Sequence, residues 1–384
     1  MKRIPYGRQD ITEEDIRAVT DVLKSDYLTQ GPKIAEFEAA FAEYVGCNYA
    51  VAVSNGTAAL HLSALTVNIK PGDKVITTPV TFIASANCIR YCGGEVIFSD
   101  IDPNTYLLDI EKLKDLLGRS PKGTYKGIVA VDFAGYALNM EELFTLANEF
   151  GLWIIEDASH APGGSFTDND GKKQKCGNNR FTDLATFSFH PVKHIATGEG
   201  GMITTNNEKI YRKLLNLRTH GIQQISDSKQ YNHGVWYYEM QELGYNYRLT
   251  DIQAALGLSQ LKRAEIALEK RREIAAIYYE TLSGKKYVKH QTGIVSGHAY
   301  HLYVSEFENR DGLLQYLRDN NIYAQVHYIP IHLMPYYRQF GWNDGDMPIT
   351  ENYYRHCLSL PIYPTLTREE QHFVIKIIED FYER

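Results

Sequence analysis

Three groups of residues combine types and spacing that could do chemistry. Lys193 stands in Ser188-Phe-His-Pro-Val-Lys193-His-Ile-Ala-Thr-Gly-Glu-Gly-Gly201, between two apolar runs and ahead of a glycine-rich turn. A lone lysine is usually a surface charge, but these neighbours predict a tight, desolvated setting. Burial lowers an amine's pKa and makes it a nucleophile toward aldehydes. Asp157 closes the apolar run Leu152-Trp-Ile-Ile-Glu-Asp157 and precedes Ala158-Ser-His160. Alone it reads equally well as a helix cap or a surface carboxylate. At the carboxyl end of a parallel strand it would lie where open α/β sheets bind ligands. A Walker B aspartate is another reading, but no G-x-x-x-x-G-K-S/T run accompanies it, which argues against a P-loop ATPase. The third group is Ser54-Asn55-Gly56-Thr57, ahead of an alanine- and leucine-rich helix. Free N–H groups and the helix dipole favour a phosphate there, Gly56 allows close backbone approach, and Thr57 adds a hydroxyl. A plain helix cap would look the same.

Together the three have a logic that none has alone. Pyridoxal 5′-phosphate (PLP) needs an amine for its aldehyde, a carboxylate to keep its pyridine nitrogen protonated, and a cradle for its phosphate. Phe82, after Thr77-Thr-Pro-Val-Thr81, could cover one face of the ring or simply pack in the core.

Positioning these residues requires alternating strands and helices. Thr12 can cap a helix with Ile16, Val19, Val22 and Leu23 at helical spacing, and a second helix around Ile34 to Tyr44 stops at Gly46. Strands are expected at 49–53, 74–78, 95–99, 127–133 and 152–156, with helices between them after Thr57 and at 82–91, 110–117 and 140–150. This pattern predicts an open, doubly wound, mostly parallel α/β sheet covered on both faces. Residues 160–182 read as a loop or small hairpin, followed by strands at 185–189 and 202–205. A long helical stretch is expected from about Thr250 to Leu282. Strands at 301–306 and 323–327 and helices at 313–319 and 371–382 then suggest a smaller α+β domain. The expected division is residues 1–255, a large domain that includes an N-terminal substrate segment, and residues 256–384, a small C-terminal domain.

Composition bounds the partners. The chain has 384 residues, 44% hydrophobic and 23% charged, with a formal net charge of −7. That balance, without a Lys/Arg-rich run, gives no footprint for nucleic acid. The start, Met1-Lys2-Arg3-Ile4-Pro5-Tyr6, lacks an apolar signal core, and no stretch reaches the about 18–20 apolar residues that span a bilayer. Five cysteines, with no C-x-x-C, argue against a disulfide framework or a zinc site and for a reducing cytoplasm. Cys88 and Cys92, one helical turn apart, read as helix-packing residues. The 28 tyrosines suit sites for sugars and nucleobases, joining a flat apolar face to a hydroxyl.

An ordered series of motifs resembles the DegT/DnrJ/EryC/StrS sugar aminotransferases, within the fold type I PLP-dependent transferases. It comprises Leu28-Thr-Gln-Gly-Pro32, Asn55-Gly-Thr-Ala-Ala-Leu60, Pro79-Val-Thr-Phe-Ile-Ala-Ser-Ala-Asn87, Glu156-Asp-Ala-Ser-His160, Phe187-Ser-Phe-His190 with Lys193, Gly198-Glu-Gly-Gly201 and Gly244-Tyr-Asn-Tyr-Arg-Leu-Thr-Asp251. The resemblance implies that Lys193 forms the Schiff base and that Asp157 pairs with the pyridine nitrogen. His160 would lie beside the phenolic oxygen, Phe82 would stack on the ring, and Gly56, Thr57 and Ser188 would hold the phosphate. Asn246 would reach the phosphate of the neighbouring subunit, implying a homodimer with shared sites. Within the family the likeness is to pseudaminic-acid pathway aminotransferases. There Tyr6, Asp26, Tyr27, Leu28, Thr29, His327, Tyr328, Ile329 and Pro330 would contact or frame a UDP-4-keto-6-deoxy sugar, with L-glutamate as amino donor. Lys193 would move the proton in both half-reactions.

Other readings are open to the same residues. They include aminotransferases for other keto sugars (a GDP-perosamine type or a 3-keto type), a dehydratase of this fold, and a silent sugar-nucleotide-binding regulator. The histidines His298, His301, His327 and His332 match no metal spacing. Substrate contact is expected for His327, and packing or surface roles for the other three.

Overall fold

A computed structural model describes residues 3–223 and 236–384. Its central sheet has seven strands: β1 Tyr49–Val53, β2 Lys74–Thr77, β3 Glu95–Phe98, β4 Tyr125–Val131, β5 Trp153–Asp157, β6 Leu184–Ser188 and β7 Gly201–Thr205. Their spatial order is β1-β7-β6-β5-β4-β2-β3. β7 is antiparallel to both β1 and β6, and every other pairing is parallel. This is the expected mostly parallel α/β sheet of a fold type I transferase.

Around it run α1 Glu13–Leu23, α2 Pro32–Val45, α3 Gly56–Thr66, α4 Ala84–Tyr91, α5 Ile110–Gly118, α6 Met140–Phe150, α7 Glu208–Arg218, α8 Asp251–Leu261 and α9 Ala264–Leu282. Strands buried on both faces need apolar residues at successive positions, which is what these sequences supply. Val51, Val53, Val129 and Ile155 face α3, α4 and α7. Ala50, Ala52, Phe187 and Met202 face α2 and α8, and Ile76, Ile128 and Ile154 face α5 and α6. Thr12 caps α1 in a capping box with Asp15, as its spacing predicts. The stretch expected as one helix from Thr250 is two. It breaks at Lys262–Arg263, where the Arg263 guanidinium turns back to Asp10 and Asp15.

Beyond α9, strands Val288–His290, Tyr303–Phe307 and Cys357–Leu360 form an antiparallel sheet. Helices Arg310–Asp319 and Arg368–Tyr382 pack on it. The two-residue strand Ile4–Pro5 crosses to this part of the molecule and pairs in parallel with Ile322–Tyr323. Residues 165–167 and 173–175 form the expected small hairpin.

Two packing features hold the carboxyl edge of the sheet in place. Phe41 meets Phe187 at 4.9 Å and Phe189 at 5.5 Å between ring centroids, both edge-on. These contacts fasten α2 to the end of β6, where the segment carrying Lys193 begins; burying each ring contributes roughly 1.5–3 kcal/mol. Gly201 sits in register between Val53 of β1 and Ser188 of β6. A Cβ there would lie 2.5 Å from the Asn55 carbonyl oxygen and 2.9 Å from the Gly56 nitrogen. Only glycine lets the antiparallel strand pass so close beneath the start of α3.

Gly201→Ala should therefore lower stability by about 1–3 kcal/mol through forced displacement of Asn55 and Gly56. Gly118→Ala, whose Cβ meets nothing within 4 Å, should leave stability nearly unchanged. Urea denaturation of both variants checks the difference.

Candidate active site

At the carboxyl ends of the parallel strands lies a cavity of about 680 Å³. Its walls bring together Tyr6, Gly56, Thr57, Phe82, Asp157, His160, Ser188, Lys193, His301, His327 and Tyr328. The sheet explains much of this convergence. β5 delivers Asp157, β6 delivers Ser188, and the β6–β7 connection carries Lys193, with Lys193 N–H donating to His190 O at 2.8 Å.

Asp157 is buried and fixed at both oxygens. Ser85 Oγ donates to Oδ2 at 2.6 Å and Ser159 N–H to Oδ1 at 3.1 Å. The neighbouring Glu156 points to the opposite face of the strand. There it lies with Asp132 and Cys176 in a buried cluster whose polar atoms are within 4.8 Å of one another. Burial, followed by the charge of Asp132, raises Glu156 well above the usual carboxyl range, and burial pushes Asp132 up to about 6. Of the Glu-Asp pair only Asp157 lines the cavity.

Lys193 is half-buried, open to the cavity on one side. Desolvation lowers its pKa to about 8; the Arg271 guanidinium also lowers it, while Asp157 opposes the shift. His160 is buried and accepts at Nδ1 from Ala134 N–H at 3.2 Å. Ala134 adopts a left-handed φ of 61°, rare for a non-glycine residue and concentrated at functional sites. Burial and the nearby Lys193 keep His160 neutral. Its remaining proton therefore sits on Nε2, 3.2 Å from Tyr328 Oη, and donates to that hydroxyl.

At the start of α3 the Asn55 side chain accepts from Ala58 N–H at 2.8 Å. The N–H groups of Gly56 and Thr57, in the helix's first turn, have no intrahelical acceptor. A Cβ on Gly56 would lie 3.0 Å from Ser188 Cβ, so the glycine keeps this floor low. Phe82 leaves 55% of its surface bare at the cavity wall.

The sequence pattern of the DegT/DnrJ/EryC1/StrS aminotransferase family matches residues 9–379. The chain belongs to that family. It is 38% identical to the spore coat polysaccharide biosynthesis protein SpsC of Bacillus subtilis, over 98% of this chain and 96% of that one. It is 36% identical to a UDP-4-amino-4,6-dideoxy-N-acetyl-beta-L-altrosamine transaminase of Campylobacter jejuni, over 97% and 95%. Among solved structures, Helicobacter pylori PseC, an aminotransferase of pseudaminic acid biosynthesis, superposes with a TM-score of 0.89 at 30% identity, covering both chains fully. The PLP form of the putative sugar aminotransferase Spr1654 of Streptococcus pneumoniae gives 0.89 at 28% identity, over 100% of this chain and 99% of that one. The protein is thus a PLP-dependent nucleotide-sugar aminotransferase, and its cavity fits the cofactor. A desolvated amine, a clamped carboxylate, two unused N–H groups at a helix start and a bare phenyl ring face one space.

The remaining residues singled out in the sequence lie elsewhere in the single chain. Asp26, Tyr27, Leu28 and Thr29 are exposed beside the start of α8, where Asp251 N–H donates to Leu28 O and Thr29 bridges Thr250. Asp26 and Tyr27 line a separate groove between α1, α2 and α8. Asn246 and Ile329 are exposed and Pro330 is buried, and none of the three lines the cavity. His298 and His332 are buried. His301, for which packing or a surface role was expected, instead enters the cavity with Nε2 3.5 Å from Lys193 Nζ. Ser85 and Ala134 were not singled out either. Nothing local in Ala84-Ser-Ala or Phe133-Ala-Gly marks them, because each acts on a partner far along the chain.

The Lys193 pKa gives a signed expectation. Below about pH 8 the amine is an ammonium ion, and above it a nucleophile. In protein freed of PLP, aldehyde capture at Lys193 should rise through about pH 8 and not near 10.5. Asp157→Asn removes a charge that raises the pKa, so its midpoint should fall further. Reductive trapping followed by peptide mass spectrometry reads both.

Proposed function

We propose that the enzyme aminates the 4-keto carbon of UDP-2-acetamido-2,6-dideoxy-β-L-arabino-hexos-4-ulose. L-glutamate is the donor; the products are UDP-4-amino-4,6-dideoxy-N-acetyl-β-L-altrosamine and 2-oxoglutarate. The observation that carries this reading is the convergence of Lys193, Asp157 and the Gly56–Thr57 helix start on one cavity in a chain of this family. The likeness to the altrosamine transaminase and to PseC supports the choice of sugar.

When bound, PLP supplies an aldehyde that takes up amines and a ring that withdraws electrons from the bond being broken. The chain's own residues do the rest. Lys193 is the nucleophile and then, once free, carries the proton off the substrate carbon and returns it in the second half-reaction. A group whose pKa lies near the working pH can act in both directions. Asp157, pinned by Ser85 and Ser159, holds the proton on the ring nitrogen. Gly56, Thr57 and Ser188 bind the phosphate, Phe82 covers the ring, and His160 and Tyr328 form a neutral polar pair beside it. Tyr6 and His327 frame the sugar. The N-terminal substrate segment belongs with a large PLP-binding domain, residues 1–255, and residues 256–384 form the small domain.

The working unit is a homodimer that shares its sites. Among the described residues, Lys193 is the only lysine or arginine in the cavity wall, too little for a cofactor phosphate plus a nucleotide diphosphate. Trp236, Tyr238, Met240 and Leu243 leave large apolar surfaces bare on the segment leading to Asn246, an arrangement suited to a second copy. Asn246, Asp26 to Thr29, Ile329 and Pro330 act at the partner's site or at its rim.

Two experiments test this. Glutamate should bleach the visible absorbance of the PLP-loaded protein and release 2-oxoglutarate, and Lys193→Ala should lose turnover at least 1,000-fold, on the order of a removed catalytic nucleophile. Across a panel of keto sugar nucleotides, preference for a GDP-linked or 3-keto sugar would replace the substrate named here. Separately, inactive Lys193→Ala chains mixed and refolded with Asn246→Ala chains should regain activity, because one site of each hybrid dimer is then intact. Continued inactivity of the hybrids would remove the shared-site reading.

A further inference from the structure

Several buried histidines lie around Lys193, and most are held in one tautomer by the backbone. His160 Nδ1 accepts from Ala134 N–H, and His298 Nδ1 accepts from Tyr300 N–H at 2.8 Å. His194 Nε2 faces Ala299 O at 2.8 Å and must donate. His327 Nδ1 pairs with Ser359 Oγ at 2.8 Å. His301 differs. It is 4% exposed, its Nδ1 has no partner, and its Nε2 faces Lys193 Nζ at 3.5 Å, a distance the flexible lysine tip can close. Its backbone is fixed from behind by Arg271, whose guanidinium donates to the carbonyls of Tyr300, His301 and Ile362.

We propose that His301 is a positioning residue for Lys193, receiving the lysine's amine whenever it is not bonded to another group. With Nδ1 unpinned, neither tautomer breaks a hydrogen bond, so Nε2 accepts from the ammonium form and donates to the neutral amine. The imidazole itself stays uncharged. Burial, then the charge of Lys193, the neighbouring rings of His160 and His194, and the charge of Arg271 hold its pKa well below the usual histidine value. Asp157, on the other side of Lys193, is the carboxylate in this surrounding that favours the ammonium form. The inference rests on Lys193 being the reacting amine and on nothing about the sugar or the donor.

The test uses the full chain freed of PLP, with no sugar or amino acid, and follows reductive methylation of Lys193 against pH by peptide mass spectrometry. His301→Phe removes a partner whose bond to the charged ammonium is stronger than its bond to the neutral amine, so the labelling midpoint should fall by about one pH unit. His301→Gln, whose amide oxygen can reach the amine, should restore the wild-type midpoint, and the shorter His301→Asn should behave like Phe. If His301→Phe fails to fold, as judged by thermal melting, the Gln and Asn variants carry the comparison. A midpoint unchanged in Phe, or equal in Gln and Asn, overturns the proposal. Failure of transamination with every sugar would leave these midpoints unaffected.

Discussion

A primary amine that must attack a carbonyl near neutral pH has to be taken out of water while a carboxylate a short way off pulls it back toward the charged state. Desolvation lowers the Lys193 pKa, Arg271 pushes the same way, and Asp157 opposes both. Arg271 is itself unusual. It is almost wholly buried and its guanidinium donates to backbone carbonyls, with no carboxylate among them. Burial lowers its pKa only to about 10, so it remains charged near neutrality. Burying a cation whose hydrogen-bond partners include no carboxylate is costly, and its charge lowers the pKa of Lys193, His194 and His301 alike. Burial is the larger cause for these imidazoles, which are neutral hydrogen-bonding groups and not stores of charge.

This balance depends on the sheet. Asp157 and Glu156 are adjacent in sequence and face opposite sides because a strand alternates. One lines the cavity and the other is bound up with Asp132. Lys193 reaches the same space because β7 returns antiparallel between β1 and β6, which makes the preceding connection a closed loop over the sheet's carboxyl edge. Gly201 is the point of closest approach, and the Phe41, Phe187 and Phe189 cluster holds the loop's root. The site is thus set by strand direction and backbone clearance as much as by its polar side chains.

The parts of this arrangement that were legible in the sequence are those with local signals. Apolar runs separated by helical spacing marked the sheet, and Thr12 marked a helix start. Asp157 at a strand end, Lys193 between strands and Gly56–Thr57 before a helix indicated three sides of the cavity. The break between α8 and α9 was not visible, because it coincides with contacts from Arg263 to Asp10 and Asp15, some 250 positions away in sequence. Helix α7 and the strand Cys357–Leu360 were also missed. The strand's four consecutive residues are too few for periodicity to separate strand from helix. His301 could not be assigned for the same reason as Ser85. Its importance lies in what folds against it, and Ala299-Tyr-His-Leu-Tyr carries no sign of that partner.

The cavity draws its wall from almost the whole chain, from Tyr6 near one end to Tyr328 near the other. During synthesis the turn at Gly56 emerges early, but it is completed only when Gly201 passes beneath it, and His301, His327 and Tyr328 come much later. Because chains grow from the N-terminus and domains form as their residues appear, the wall formed by His301, His327 and Tyr328 is added to a floor already laid down by earlier residues. The residues suited to the cofactor thus come from one stretch of the chain, and the wall that closes over them comes from another.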